Sequence, residues 1–262
     1  MLILGGAWSR RTWRLLKRGH QSILQDTYTK KIVLPRKYLV HLTLFFPFPM
    51  YLVAAATAFE MDAFLAAGPQ PPFATLITGI GPAEASLHLT DFLTHHPSAI
   101  GAVLNIGIAG AYVREESPAR LLDICLARQE EFGDLGTCRQ GKIEPLQVKG
   151  ITIPQSFTLD EKLCNWAQTR LYSCSIPVKK GRFITVNSVS GDTERGKAIL
   201  TRFPDALCEN MEGAALARVC QHFAIPFLEL RAVSNYVANP DEQQWRLKEA
   251  CRLGGQAAAR LF

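Results

Sequence analysis

From Tyr51 onward the sequence alternates short apolar runs with amphipathic stretches of helical period, and that alternation leaves few folds open. Runs at 51–57, 73–79, 100–107, 121–127, 181–189, 205–209 and 226–233 have the length and composition of buried strands. Between and after them, 83–93, 158–172, 193–202, 212–223 and 241–262 carry apolar stripes at three- and four-residue spacing, which predicts helices. Strands buried on both faces need helices on both faces. The expected fold is therefore a single α/β domain with a central mixed, largely parallel sheet flanked by helices. In such a sheet functional groups gather at the carboxyl ends of the strands.

The first 49 residues do not share this pattern. They hold nine of the 29 Lys/Arg and one of the 23 Asp/Glu, so the remaining chain carries 20 basic and 22 acidic side chains. The formal charge of +6 thus belongs to the basic pairs of the leading segment (Arg10-Arg11, Lys17-Arg18, Lys30-Lys31, Arg36-Lys37), and the main body is not a nucleic-acid-binding surface. Tyr38 to Phe59 is nearly uncharged and long enough to cross a bilayer, but Pro47 and Pro49 would break such a helix and 51–57 is needed as the first strand. Residues 1–49 are accordingly read as an extension outside the native fold, with Met50 as the true start, and 50–262 as the functional domain. The seven cysteines are scattered, with no metal-ligand spacing, and read as reduced thiols of a cytoplasmic protein.

Polar residues and glycines interrupt the apolar runs at strand ends. "TGIGPAEA" and "NIGIAGAY" place Gly79, Gly81, Gly107 and Gly110 at such turns, matching neither a dinucleotide fingerprint nor a Walker loop. Glu60 follows the first strand, and two readings of it stand together. Thr57-x-x-Glu60 is a capping-box pattern opening a short helix, and the same carboxylate is placed to polarise a water. Glu212 precedes the stripe Ala215, Leu216, Val219, Cys220, Phe223 and extends that inward face by one turn, although a first-turn glutamate also suits the helix dipole. His95 and His96 read as solvated residues at a helix end, and His88 and His222 have no partners at ligand spacing. At the end of the last apolar run, "LELRAVSNYV" stops in Ser234 and Asn235, an amide where a buried strand should end.

Taken in order, "AATAFE", "TGIGPAEASL", "NIGIAGAY", "SVSGD", "NMEGAALARVC" and "LRAVSN" resemble the purine nucleoside phosphorylase/nucleosidase family, the one containing methylthioadenosine/S-adenosylhomocysteine nucleosidase, over essentially 50–262. The resemblance implies catalytic roles for three residues: Glu60 as the water-activating glutamate, Glu212 at the ribose hydroxyls and Asn235 at the N7 edge of the purine. It further implies substrate contacts at Met211, Val189, Ser190, Ile108, Ala109, Gly110 and Ser234. No metal or organic cofactor is implied. The partner is a small-molecule nucleoside, with no nucleic acid and no membrane, and a homo-oligomer is expected.

Two departures narrow the chemistry. Adenine-specific members carry aspartate where Asn235 stands; the neutral amide can donate to O6 of a 6-oxopurine while its carbonyl accepts from N7 as that atom is protonated. Phosphorylases of the family resemble one another in an R-x-G-[ST]-x-G segment, and here Asn105 and Ile108 replace its arginine and hydroxyl, so water is the expected nucleophile. "SNYV" followed by Trp245 is similar to the subfamily that releases hypoxanthine from futalosine in menaquinone biosynthesis. Trp245 and Arg246 are candidates for the 5′ substituent. The competing readings are an adenine-type nucleosidase, a non-catalytic nucleoside binder on the same scaffold, and a membrane-tethered protein using residues 1–59.

Overall fold

Five strands close a ring in the computed structural model, which describes residues 50–96, 100–114, 118–139, 142–146, 148–237 and 245–262. The expectation for residues 1–49 lies outside the described residues. Strand β3 (Ile100–Ala111) is central: it runs parallel to β1 (Met50–Ala55) and to β10 (Phe227–Tyr236), and antiparallel to β9 (Ala206–Asn210) at Gly110 and Ala111. The ring continues from β9 to β8 (Val178–Thr185), from β8 to β4 (Ile124–Phe132), both parallel, and from β4 back to β10, antiparallel. β2 (Phe73–Ile77) extends the sheet beyond β1 in parallel. The sheet is mixed and largely parallel, as the strand composition required.

Three short strands escape the apolar pattern. β5 (Thr137–Arg139) and β6 (Lys142–Glu144) form a separate hairpin, and β7 (Ser156–Thr158) pairs antiparallel with β4. β7 also shortens the helix expected over 158–172. That helix, α3 (Glu161–Ser173), starts after Asp160, whose side chain accepts from Leu163 N at 2.7 Å. The strand expected over 181–189 lies earlier, and its carboxyl end continues as irregular chain through Ser190.

The remaining helices are α1 (Ala58–Ala66), α2 (Pro82–His95), α4 (Thr193–Arg202), α5 (Gly213–Phe223) and α6 (Leu247–Ala259). α2 and α5 bury Leu89, Leu93, Leu216 and Val219 against one face of the sheet. On the other, α1, α3 and α6 bury Phe64, Leu171 and Ala257 with Val53, Leu104 and Leu230. Burying each Leu or Phe stabilises the domain by about 1.5–3 kcal/mol. The carboxyl ends of β1, β2, β3, β9 and β10 lie close together: Gly81 N after β2 donates to Glu212 after β9, Ile108 N of β3 donates to Glu60 after β1, and Asn235 of β10 sits opposite Gly110. Among the described residues no helix is long and apolar enough to cross a membrane.

Candidate active site

The capping-box reading of Glu60 holds, and it leaves one carboxylate oxygen of the side chain outside the cap. Thr57 is the N-cap of α1 and the capping box is complete: Thr57 Oγ1 accepts from Glu60 N at 3.3 Å, while Glu60 Oε2 accepts from Thr57 N at 3.0 Å and from Thr57 Oγ1 at 2.8 Å. The cap uses one carboxylate oxygen. The other, Oε1, turns toward β3 and accepts from Ile108 N at 3.2 Å. The cap thus fixes the rotamer of a buried carboxylate whose second oxygen faces the strand ends.

Glu212 is not in the first turn of α5 but is its N-cap residue, at φ −129° and ψ −31°, and its side chain makes no cap bond. Asn210 replaces it in that role, its Oδ1 accepting from Glu212 N at 2.9 Å and from Gly213 N at 2.7 Å. Glu212 is thereby freed to reach across the strand ends. Its Oε1 accepts from Gly81 N at 3.1 Å, and its Oε2 pairs with Arg231 at 3.3 Å. Gly81 has φ +90°, a conformation open to glycine, and this turns its N–H away from α2 toward the carboxylate.

Arg231 joins the two glutamates, and it is the residue sequence reasoning missed. It is 1% exposed on β10. Its Nε donates to Glu229 at 2.8 Å, Nη1 to Ile108 O at 3.3 Å, and Nη2 to Glu212 at 3.3 Å and Asn210 Oδ1 at 3.4 Å. Burial opposes its charge, but Glu229, Glu212 and Glu60 outweigh burial and hold the guanidinium above its ordinary pKa. A Cβ on Gly107 would collide with both Arg231 Nη1 and Glu60 Oε1, so glycine there lets the two meet over the strand. Asn105, which stands where the resemblance places a phosphate-binding arginine, is buried and donates to Glu229 at 3.2 Å. The available signal was the pair Glu229 and Arg231, two residues apart on one face of a strand otherwise made of buried apolar side chains.

Asn235 lies four residues beyond Arg231, near the carboxyl end of the same strand β10. The β10–β3 register slips between Val233, opposite Ala109, and Asn235, opposite Gly110, so Ser234 is the extra residue of a bulge. Ser234 Oγ lies 2.8 Å from Asn235 Oδ1 and 3.3 Å from Ala109 O, and the shorter contact anchors the amide. Its Nδ2 lies 3.1 Å from a Cβ built on Gly110, so the amide packs flat over that glycine. Arg246 N donates to Ser234 O at 2.8 Å, bringing the start of α6 to the same edge.

The remaining candidates separate by what they can offer. Met211 and Ile108 are half-buried beside the glutamates and Val189 is exposed at the rim, while Ala109 and Gly110 are buried backbone floor. Ser190 has both its polar groups committed: N and Oγ donate to Glu209 at 2.8 Å and 2.7 Å, and Tyr112 Oη donates to the same carboxylate at 3.1 Å. Burial raises the Glu209 carboxyl, with Ser190 and Tyr112 pulling the other way. Ser190 can therefore shape a wall but has no hydrogen free for a ligand. His95 and His96 are exposed at the end of α2, away from this cluster.

Comparison with known proteins shows the family. Residues 70–262 match the model of the phosphorylase superfamily. The chain is 32% identical over 195 residues to futalosine hydrolase from Thermus thermophilus, covering 72% of this chain and 81% of that protein. It is 32% identical over 161 residues to 5′-methylthioadenosine/S-adenosylhomocysteine nucleosidase from Anoxybacillus flavithermus, covering 61% and 66%. Among solved structures, a mutant of Helicobacter pylori futalosine hydrolase superposes with a TM-score of 0.69 at 18% identity, over 82% of this chain and 99% of that one, which establishes a shared fold. By sequence match and by architecture, the chain belongs to the phosphorylase superfamily.

Proposed function

We propose that the protein is a purine nucleosidase that hydrolyses the N-glycosidic bond of futalosine, releasing hypoxanthine and leaving dehypoxanthinylfutalosine. The observation that carries hydrolysis is Arg231. Among the described residues it is the cation paired with Glu212, yet it is fully buried and its donors go to Glu229, Glu212, Asn210 and the Ile108 carbonyl. A guanidinium engaged in this way has no fork to present to a phosphate dianion. With Ile108 in place of a hydroxyl, water is left as the nucleophile.

In this reading Glu60 Oε1 orients the water and takes its proton, a general-base contribution of about 10² to 10⁴ in rate. Glu212 holds the ribose hydroxyls. The carboxylates around Arg231 outnumber the single guanidinium, and the excess negative charge favours the oxocarbenium-like ribosyl transition state. Asn235 Nδ2 donates to O6 of the leaving base, and the Oδ1 lone pair not used by Ser234 accepts from N7 as it gains a proton. The match to the Thermus futalosine hydrolase supports the 6-oxopurine assignment. An adenine-type activity is the second reading, supported by the nucleosidase match from Anoxybacillus and opposed by the neutral amide at 235.

Residues 50–262 form the catalytic unit in this proposal. All seven cysteines are unbridged, which supports a reducing, cytoplasmic setting. A homo-oligomer would cover Ile80, Leu87 and Val189, which are exposed near the mouth of the site.

The test is incubation of purified protein with futalosine, inosine and methylthioadenosine, with and without phosphate, following free base and sugar product. Hypoxanthine release from futalosine at a rate indifferent to phosphate is the expected result. A ribose-1-phosphate-type product would overturn hydrolysis, and adenine release with futalosine untouched would overturn the base assignment.

A further inference from the structure

Beneath Arg231 lies a second pair of carboxyls. Glu130 on β4 and Glu229 on β10 are both fully buried. A Cβ on Gly213 would collide with Oε1 of Glu130 and Oε2 of Glu229 alike, so these two oxygens converge on the space that glycine leaves open. Three of the pair's four oxygens have donors. Glu229 Oε1 accepts from Arg231 Nε at 2.8 Å and Asn105 Nδ2 at 3.2 Å; Glu130 accepts from Asn210 Nδ2 at 2.7 Å and Thr185 Oγ1 at 2.8 Å. Glu229 Oε2 has none among the described residues.

Two ionised carboxylates in this space would repel each other in the absence of water and leave a buried acceptor bare. One proton removes both problems. We infer that Glu130 and Glu229 share a single proton, carried on Glu130 and donated to Glu229 Oε2, and that this pair positions Arg231 and through it Glu212 and the Ile108 backbone. The inference rests on the hydrolase reading, in which those groups face the substrate.

The surrounding charges agree. Burial, and then the charge of Glu229, push the Glu130 carboxyl well above the usual range. The other titratable groups facing the pair are Arg231 on β10, Glu212 before α5, Glu60 beyond Arg231, and Cys208 on β9. The Cys208 thiol is itself pushed up by burial, by Cys125 and by these two glutamates, so it stays neutral. Glu131 points the other way, to Arg182. With its proton, the pair carries one negative charge beneath one guanidinium. Without it, a second negative charge draws Arg231 inward and loosens its hold on Glu212 and on the Ile108 carbonyl.

The experiment compares wild type, Glu130→Gln and Glu130→Ala by pH profiles of kcat and KM for base release and by thermal melting across the same pH range. An amide at 130 still donates to Glu229 but has no proton to lose, although it gives up the acceptor for Asn210. Alanine removes the donor, and kcat should fall roughly 10- to 100-fold, while glutamine restores most of it. Wild-type kcat should decline on the alkaline side with little change in KM, and the glutamine variant should lack that decline.

The melting curves carry a sign. A carboxyl whose folded value is raised contributes its stability below the ordinary glutamate value of about 4.3 and loses it as pH climbs to the raised value. The melting temperature of Glu130→Gln relative to wild type should therefore rise with pH from that point upward. A flat difference overturns the shared proton. A rising difference with superimposed kcat profiles overturns the positioning role. If wild type cleaves no nucleoside, the hydrolase reading falls and the positioning role with it, while the melting comparison still reads the proton. Should Glu130→Gln fail to fold, isotope-edited infrared of wild type decides: a protonated-carboxyl band persisting at neutral pH is expected, and its absence overturns the pair.

Discussion

The two ends of the proposed nucleoside site, a ribose end and a base end in that proposal, solve the problem of burying polar groups in opposite ways. At the ribose end, Glu60, Glu212, Arg231, Glu229 and Glu130 come from four separate stretches of chain and balance one another as a largely buried charged lattice. At the base end, Ser234 and Asn235 are neutral neighbours in sequence, and one bulge and one glycine hold them in place. A lattice of charges transmits a change at any member to all of them, since removing one partner of a buried pair leaves the other uncompensated. A local amide can be altered with little effect beyond its own contacts. The ribose end should therefore fix the reaction, and the base end should be where specificity is adjustable.

Glu60→Gln is the largest expected break of that comparison. Glutamine at this position still completes a capping box with Thr57, but its amide nitrogen then faces Ile108 N where a carboxylate oxygen accepted, so stability should fall by about 1–3 kcal/mol. An amide cannot take a proton from water, and kcat should fall by about 10² to 10⁴ with ligand binding retained. Rates together with calorimetric binding on this one variant separate catalysis from capping. Equal losses of stability and activity would return Glu60 to a purely structural role.

Asn235→Asp comes next. The new oxygen replaces Nδ2 over Gly110 and faces O6 with a lone pair in place of a hydrogen. The kcat/KM for futalosine should fall roughly 10²-fold or more, because a site built to bind a polar group leaves it unpaired after such a change. Adenine-bearing nucleosides should gain relative to it, because a protonated carboxyl matches N7 and the 6-amino group. Melting temperature should move little, in contrast to Arg231→Met, which would strand Glu229 and Glu212 and destabilise by about 3–5 kcal/mol. An unchanged ratio of kcat/KM between the two bases would mean that Asn235 does not face the purine.

The difference between the ends also explains what the sequence revealed. The base end was legible because its signal is local: an apolar run stopping in Ser234-Asn235 marks a strand edge, and the strand indeed ends one residue later at Tyr236. The cap made by Glu60 was legible because the capping box spans four residues. Arg231, Glu229 and Glu130 were not, since they and Asn210 meet Glu212 only after β4, β9 and β10 have been brought together by the ring. The same holds for the fold. The seven apolar runs became strands with shifted ends, while β5, β6 and β7, three residues each, carry too little apolar pattern to be seen. The expected strand over 181–189 was displaced because Lys179 and Lys180 interrupt the apolar pattern after buried Val178, whereas the irregular chain after Thr185 contains apolar Val186 and Val189.

Ser234→Ala gives the smallest expected effect and the sharpest probe of the base end. The Ser234 hydroxyl has one hydrogen, and of its two acceptors Asn235 Oδ1 is the nearer, at 2.8 Å against 3.3 Å for Ala109 O. With the hydroxyl gone, Asn235 keeps its backbone position in the bulge but loses the contact that tells its oxygen side from its nitrogen side. The amide can then rotate, and part of the population presents oxygen to O6. The expected loss is about 0.5–1.5 kcal/mol in transition-state stabilisation, or roughly 2- to 13-fold in kcat/KM for the 6-oxopurine substrate. The loss should be smaller for a purine without an oxo group at C6, since no O6 contact is there to lose. If both substrates fall by the same factor, Ser234 acts by supporting the bulge and orientation of the amide is fixed elsewhere. If neither falls, the Gly110 floor and the Tyr236 carbonyl, 3.5 Å from Asn235 Nδ2, suffice to hold it.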